Sequence, residues 1–254
     1  MARQESVILL AGGIGNLTFY KSVDGYLARK KSYVSAERIR SDPAFQRTRE
    51  NNADFSRAGR AAKLLRNAFR GLLIATADRS VTGNLTREIM KVIQADQINP
   101  RGQRNVIDGE PILLEGFDFN RQGPLVKTFF APFTAFINRA TGTMVLDIPT
   151  FSIESGMQVP EGATHVRLKS AGAAIDFERN TYAGAGAESD VLEIGQQVHG
   201  PLRLSQSVSP GSPNPLFLVF AVEFMQLVNG VHYPLKSGAF NAMTIVKVDA
   251  HSAQ

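Results

Sequence analysis

The chain has 254 residues, 43% of them hydrophobic and 20% charged, enough for one large domain or two modest ones. It contains no cysteine, which excludes a disulfide framework, thiolate catalysis and cysteine-ligated metal. Its longest apolar run, Leu216–Val222, is far too short to span a bilayer as a helix. The net charge of +5 is unevenly placed: residues 1–105 hold 19 Lys+Arg against 9 Asp+Glu (+10), and residues 106–254 hold 9 against 14 (−5).

The first eleven residues, MARQESVILLA, carry one Arg, then Glu5, then a short apolar run. A secretory signal needs a longer apolar stretch and a small-residue cleavage site, so a cytoplasmic protein is expected, or one released by a non-Sec route or carried on a particle. Val7, Ile8, Leu9 and Leu10 read as a strand. Gly12, Gly13 and Gly15 follow, but the strand–turn–helix context of a dinucleotide fingerprint is missing. They suit a close approach of backbone to backbone, in the same subunit or a neighbouring one. Leu17–Tyr20 and Tyr26-Leu27 flank Asp24-Gly25, which signals a β-hairpin.

Ser41-Asp42-Pro43 marks a helix start, and a helical pattern follows from Phe45 to Ala75. Phe55, Ala58, Ala62, Leu65, Phe69 and Leu72 fall on one stripe, as expected of a buried face. Arg60, Lys63, Arg66 and Arg70 lie on an adjacent arc, with Arg57 at its edge. A second helix carries Leu85, Ile89, Val92 and Ile93 and ends before Asn99-Pro100. The basic arc has three readings: a solvated face, a protein contact or a phosphate-binding surface. It lacks interleaved aromatics and any known nucleic-acid motif.

From Ile107 onward the pattern is short strands separated by turns. Strands are expected at Ile112–Phe119, Leu125–Phe130, Phe133–Asn138, Thr143–Ile148, Thr164–Ser170, Ala174–Phe177, Val191–Ile194, Leu202–Val208, Leu216–Val228, Val231–Leu235 and Ala242–Val248. Leu216–Val222 is placed centrally, buried on both faces. Asn229-Gly230 is the strongest hairpin signal. Tyr182–Ala187, rich in Ala and Gly, reads as a loop, though such residues also permit close packing between subunits.

The fold class expected is therefore α+β: an N-terminal β-hairpin and helical hairpin over 1–105, basic, then an acidic antiparallel β-sandwich, Ig-like or jelly-roll-like, over 106–254. No elbow serine, zincin motif or phosphate loop is present. His165, His199, His232 and His251 stand far apart, so no metal and no cofactor are expected. Asp108, Glu110, Glu115 and Asp118 lack a calcium-loop register and read as an acidic surface patch.

The motifs Gly15-Asn16-Leu17-Thr18-Phe19-Tyr20-Lys21, Asp24-Gly25-Tyr26-Leu27-Ala28-Arg29 and Asp42-Pro43-Ala44-Phe45-Gln46-Arg47-Thr48-Arg49-Glu50-Asn51 resemble an uncharacterised family found in Bacteroidota. The similarity continues at Gly102–Val106, Glu161–His165 and Pro215–Leu218. It implies a bacterial source and a two-part architecture, and no reaction. The family pattern has Gly-Gly near Ser32–Tyr33, where this chain is bulkier.

The expected function is structural: self-assembly into a homo-oligomer or filament, basic helical face to acidic β domain, with addition of the N-terminal strand to a neighbour. The candidate contact residues are Val7, Ile8, Leu9, Leu10, Gly12, Gly13, Gly15, Arg57, Arg60, Lys63, Arg66, Arg70, Asp108, Glu110, Glu115 and Asp118, and the expected partner is the chain itself. Two alternatives remain at this point: a nucleic-acid-binding or virion-like accessory protein using the basic helix, and a β-sandwich hydrolase or ligand-binding module with a loop-built site.

Overall fold

The computed structural model describes every residue except Met1, Ser6, Val7, Ser32, Tyr33, Ala77, Lys236–Gly238 and His251–Gln254. The chain divides into two compact units, Met1–Glu50 and Asn51–Gln254.

The first unit is a four-stranded antiparallel sheet of β1 (Ala2–Arg3), β2 (Gly12–Ile14), β3 (Leu17–Ser22) and β4 (Gly25–Lys30), ordered β1-β4-β3-β2, followed by helix α1 (Ala36–Ser41). The expected hairpin is β3–β4, with Ser22 paired to Gly25 across Val23-Asp24. Gly25 takes φ +108°, which a side chain would oppose, and so fixes the turn. The strand expected at Val7–Leu10 is not there. Val7 lies outside the described residues, and Ile8–Leu10 are irregular and exposed. The reason is topological: β1 and β2 occupy opposite edges of the sheet, so the chain between them must cross three strand spacings, roughly 14 Å. Gln4 stands in for a strand partner, its Oε1 accepting the Leu10 N–H at 2.9 Å. Asp42 caps the turn that precedes the long helix, accepting the Ala44 N–H at 2.9 Å.

The second unit holds α2 (Gln46–Ala68, from Asn51 on), α3 (Arg70–Thr76) and α4 (Val81–Gln94). The helical pattern to Ala75 is thus two helices, broken at the buried Phe69. Ala58, Ala62, Leu65 and Phe69 are buried as the stripe requires, whereas Phe55 is 61% exposed, one turn too early to reach the core. Leu85, Ile89, Val92 and Ile93 of α4 are fully buried.

The remaining elements are α5 (Leu125–Thr128), β5 (Thr134–Asn138), β6 (Thr143–Ile148), β7 (Phe151–Ser152), α6 (Ile153–Gly156), β8 (His165–Asp176), β9 (Thr181–Glu188), β10 (Leu192–Glu193), β11 (Val198–His199), β12 (Leu202–Ser207), β13 (Leu216–Val228), β14 (Val231–Pro234) and β15 (Ala242–Asp249). Two expected strands are absent. Pro111 starts a 3-10 helix over Pro111–Leu114, and Leu125–Thr128 forms a helical turn after Pro124. Only the end of the first runs along β15, where Gly116, Phe117 and Phe119 exchange main-chain bonds with Met243 and Ile245 at its outer edge. The strands expected at Thr164–Ser170 and Ala174–Phe177 are one continuous β8.

Strand β13 is the centre of a six-stranded antiparallel sheet, flanked by β8 and β15; β9 and β10 pair with β8, and β14 returns from β13. The hairpin at Asn229-Gly230 forms as expected, both residues at positive φ (51° and 79°). Alternation along β13 serves two cores. Phe217, Val219 and Ala221 join the helices, while Phe220, Val222 and Phe224 pack against the three-stranded sheet β12-β6-β5. The fold is α+β, with helices on one face of the main sheet and a smaller antiparallel sheet on the other. The change of net charge at 105 is not a break in packing, because residues 58–93 share one core with β8, β13 and β15. Gly172 lets the two sheets close: a Cβ there would stand 2.2 Å from Met144 Sδ.

A carboxylate organises the turn after α4. Asp96 is 1% exposed and accepts four N–H bonds, from Ile98, Asn99 (main and side chain) and Asn105, at 2.9–3.0 Å. Burial opposes its ionisation, but these donors outweigh it and hold the carboxyl below its ordinary value of 3.8. Its stabilisation is therefore complete above that value and fades as pH falls through the lower folded one. Asp96→Asn should cost about 2 kcal/mol at pH 7. In urea titrations the gap between wild type and variant should narrow at pH 3.

Candidate assembly surfaces

Three surfaces of the chain are candidates for contact: the sheet of the first unit, the basic face of α2, and the outer edge of the main sheet at β9.

Among the described residues, no side chain of the first unit is buried. Ile8, Leu9, Leu10, Ile14, Leu17 and Val23 are all exposed, Ile8 at 75% and Val23 completely. The aromatic rings of the sheet are covered only partly, by their own basic neighbours: Lys21 Nζ lies 5.6 Å from the Tyr26 ring and the Arg29 guanidinium 5.5 Å from Tyr20. Gly12 and Gly13 pair with Phe19 and Thr18 along the edge strand β2, and Gly15 turns the chain at φ +53°.

The basic arc on α2 is partly spent inside the fold. Arg57 donates to the Gly102 carbonyl and lies 3.5 Å from the buried Asp54, and Arg60 donates to Ser56 Oγ at 3.0 Å. Arg66 is half-buried; Lys63 and Arg70 are exposed. The carboxylates grouped by sequence do not form one patch of free charge. Asp108 accepts from the Asn99 and Asn105 side-chain amides, each at 2.7 Å. Glu115 accepts the Val248 N–H and pairs with Lys247 at 3.1 Å. Asp118 accepts from Leu125 N–H and from the Thr244 hydroxyl. Glu110 alone of the four is exposed.

The segment expected as a loop, Tyr182–Ala187, is most of strand β9, exposed along almost its whole length. An Asx turn builds the hairpin that carries it: Asp176 Oδ1 accepts the N–H groups of Glu178 and Arg179, and Asn180 turns the chain at φ 56°. Beside β9, on the helix side, lies an open groove of about 430 Å³. Ala68, Phe69, Gly71 and Leu72 form its wall, and Ala171, Gly184 and Gly186 its floor. Charged side chains close one end. Glu223, 6% exposed, receives Lys169 Nζ at 2.7 Å, and Glu188 lies 3.4 Å from Arg167 and 3.7 Å from Lys169. Sequence reasoning could not pair Lys169 with Glu223, since only the β8–β13 register brings them together.

The fold joins two of the histidines. The His165 and His232 rings stand edge to face, 4.5 Å between centroids, and His165 Nδ1 is 2.8 Å from Thr164 Oγ1. His199 bonds to the Glu193 carbonyl, and His251 lies outside the described residues. Among the described residues, no three ligating side chains are grouped to hold a metal ion, and no helix is long and apolar enough to cross a membrane.

These features define an α+β protein. No known protein family, no curated protein and no solved structure matches the chain.

Proposed function

We propose that this is a structural protein that assembles with copies of itself into a homo-oligomer or filament, its N-terminal unit docking on a neighbouring subunit. One observation carries the reading: a four-stranded sheet with no buried side chain. A sheet of this size is stable only when one face is packed, and exposed apolar side chains such as Ile14, Leu17 and Val23 gain most by being covered. The uneven charge supports the same reading, because a basic front part and an acidic back part attract head to tail. Such a contact propagates wherever its rotation does not close. The exposed Lys63 and Arg70 contribute on the basic side.

Sedimentation velocity on the full chain at low salt should show species larger than a dimer that grow with concentration. Added salt at 0.5 M should shrink them, since charge contacts at the surface are screened. Residues 51–254 contain all three clusters of buried side chains and form a unit of their own, so a chain lacking 1–50 is a fair control. It should stop at a small, fixed stoichiometry. A full-length chain that stays monomeric at high concentration and low salt would end the proposal. Assembly of the truncated chain to the same size would remove the first unit from it.

A further inference from the structure

We propose that strand β9 is a self-complementary sheet edge on which a second copy of this chain pairs, antiparallel, about a two-fold axis at Ala185. This deepens the reading of self-assembly, and it places one contact on the second unit, independently of the N-terminal sheet.

The Ser189 N–H bonds to the Leu168 carbonyl, so the odd-numbered residues of β9 point their polar groups at β8. The even ones, Tyr182, Gly184, Gly186 and Glu188, then point theirs outward. Among the described residues, nothing accepts or donates there. Natural sheets protect such an edge with Lys, Pro, a bulge or a covering segment. On the opposite edge of this sheet, β15 is covered in that way over Met243–Ile245, by residues 116–119, and β14 ends in Pro234. Strand β9 has no Pro, no Lys and no bulge, and only glycine, alanine, Thr181, Tyr182 and Glu188.

Register follows from the same alternation. A two-fold axis normal to the sheet keeps each face continuous, so even residues must meet even ones. Centring the axis on Ala185 sets Tyr182 opposite Glu188 and Gly184 opposite Gly186 in both directions. All four outward residues are then used, in four pairs of two bonds each, roughly eight main-chain bonds. Shifting the centre to Gly184 would pair Glu188 with Asn180, whose φ of 56° takes it out of the strand. An isologous contact of this kind closes as a dimer, and the glycines offer no side chain to obstruct it.

At the axis, Ala185 faces its own copy in a non-hydrogen-bonded pair, where the Cα atoms stand about 4.5 Å apart, within disulfide range. The chain has no cysteine of its own, so single substitutions report on register. Under mild oxidation of the dilute full-length chain, Ala185→Cys should cross-link to a dimer on a non-reducing gel at least tenfold faster than Ala183→Cys. Ala183 would face Ala187 of the other copy instead. Adding Tyr182→Pro to Ala185→Cys removes an outward donor without touching a β8 bond, and should abolish the cross-link. Equal rates for the two cysteines, a faster Ala183→Cys, or a cross-link indifferent to the proline would each overturn the proposal. If cross-linking fails while the full chain still assembles beyond a dimer, this edge is wrong and the role of the N-terminal unit stands.

Discussion

Phe220→Ala should lower the unfolding free energy by about 3–5 kcal/mol. The ring is fully buried at the middle of β13, where the main sheet meets the smaller one. It packs edge to face with Phe129 at 5.1 Å and with Phe133 at 5.2 Å between centroids. Its removal forfeits both aromatic contacts and leaves a cavity that three surrounding elements cannot all move to fill. A fall in the midpoint of a urea titration with an unchanged slope is the signature of lost packing alone. A loss below about 1 kcal/mol would mean that the two layers re-close over the gap.

Lys169→Met is expected to cost about 3 kcal/mol, for a different reason. Glu223 is buried, and its close cationic partner is the Lys169 ammonium at 2.7 Å. Without it the buried carboxylate loses the ammonium bonded to it and keeps only Arg167, its cross-strand neighbour in β8, as a cation beside it. The double variant Lys169→Met with Glu223→Leu should recover most of the loss, because a buried ion pair replaced by apolar side chains of similar size is often neutral. The cycle of wild type, two single variants and the double variant then measures the coupling between the two sites. Additive effects would show that the pair is held apart in solution.

Much of the β architecture was legible because its signals are local. The Asn229-Gly230 turn, the continuous apolar run of β13 and the alternation in Thr143–Ile148 each depend on a few neighbouring residues. The helical stripe was equally plain, apart from Phe55. What could not be read depended on partners far along the chain. Leu9 and Leu10 look like strand residues, yet the edges they might have paired are taken by Ala2-Arg3 and Gly12–Ile14. Ile112–Phe119 alternates, but Pro111 diverts its first turn into a helix.

Strand β9 is the instructive case. Its composition argues against a strand, and it forms because β8 supplies the pairing and the Asx turn at Asp176 sets the register. The sequence did carry that turn, in Asp176 and Asn180, and the β-formers Thr181-Tyr182 after it. For the assembly surface, the charge totals pointed to facing patches. Side-chain bonding shows that Arg57, Asp108, Glu115 and Asp118 are engaged within their own fold.

The two-sided burial of β13 has a consequence for how the second unit responds to stress. A strand whose alternate residues belong to different cores cannot release one layer and keep the other ordered. Loss of the helices would strip Phe217 and Val219, and loss of the small sheet would strip Phe220 and Val222. Melting is thus a joint event for helices and sheets, and slow amide exchange extends from the middle strand outward on both sides. The change of charge near residue 105 divides this unit electrically while leaving it mechanically whole.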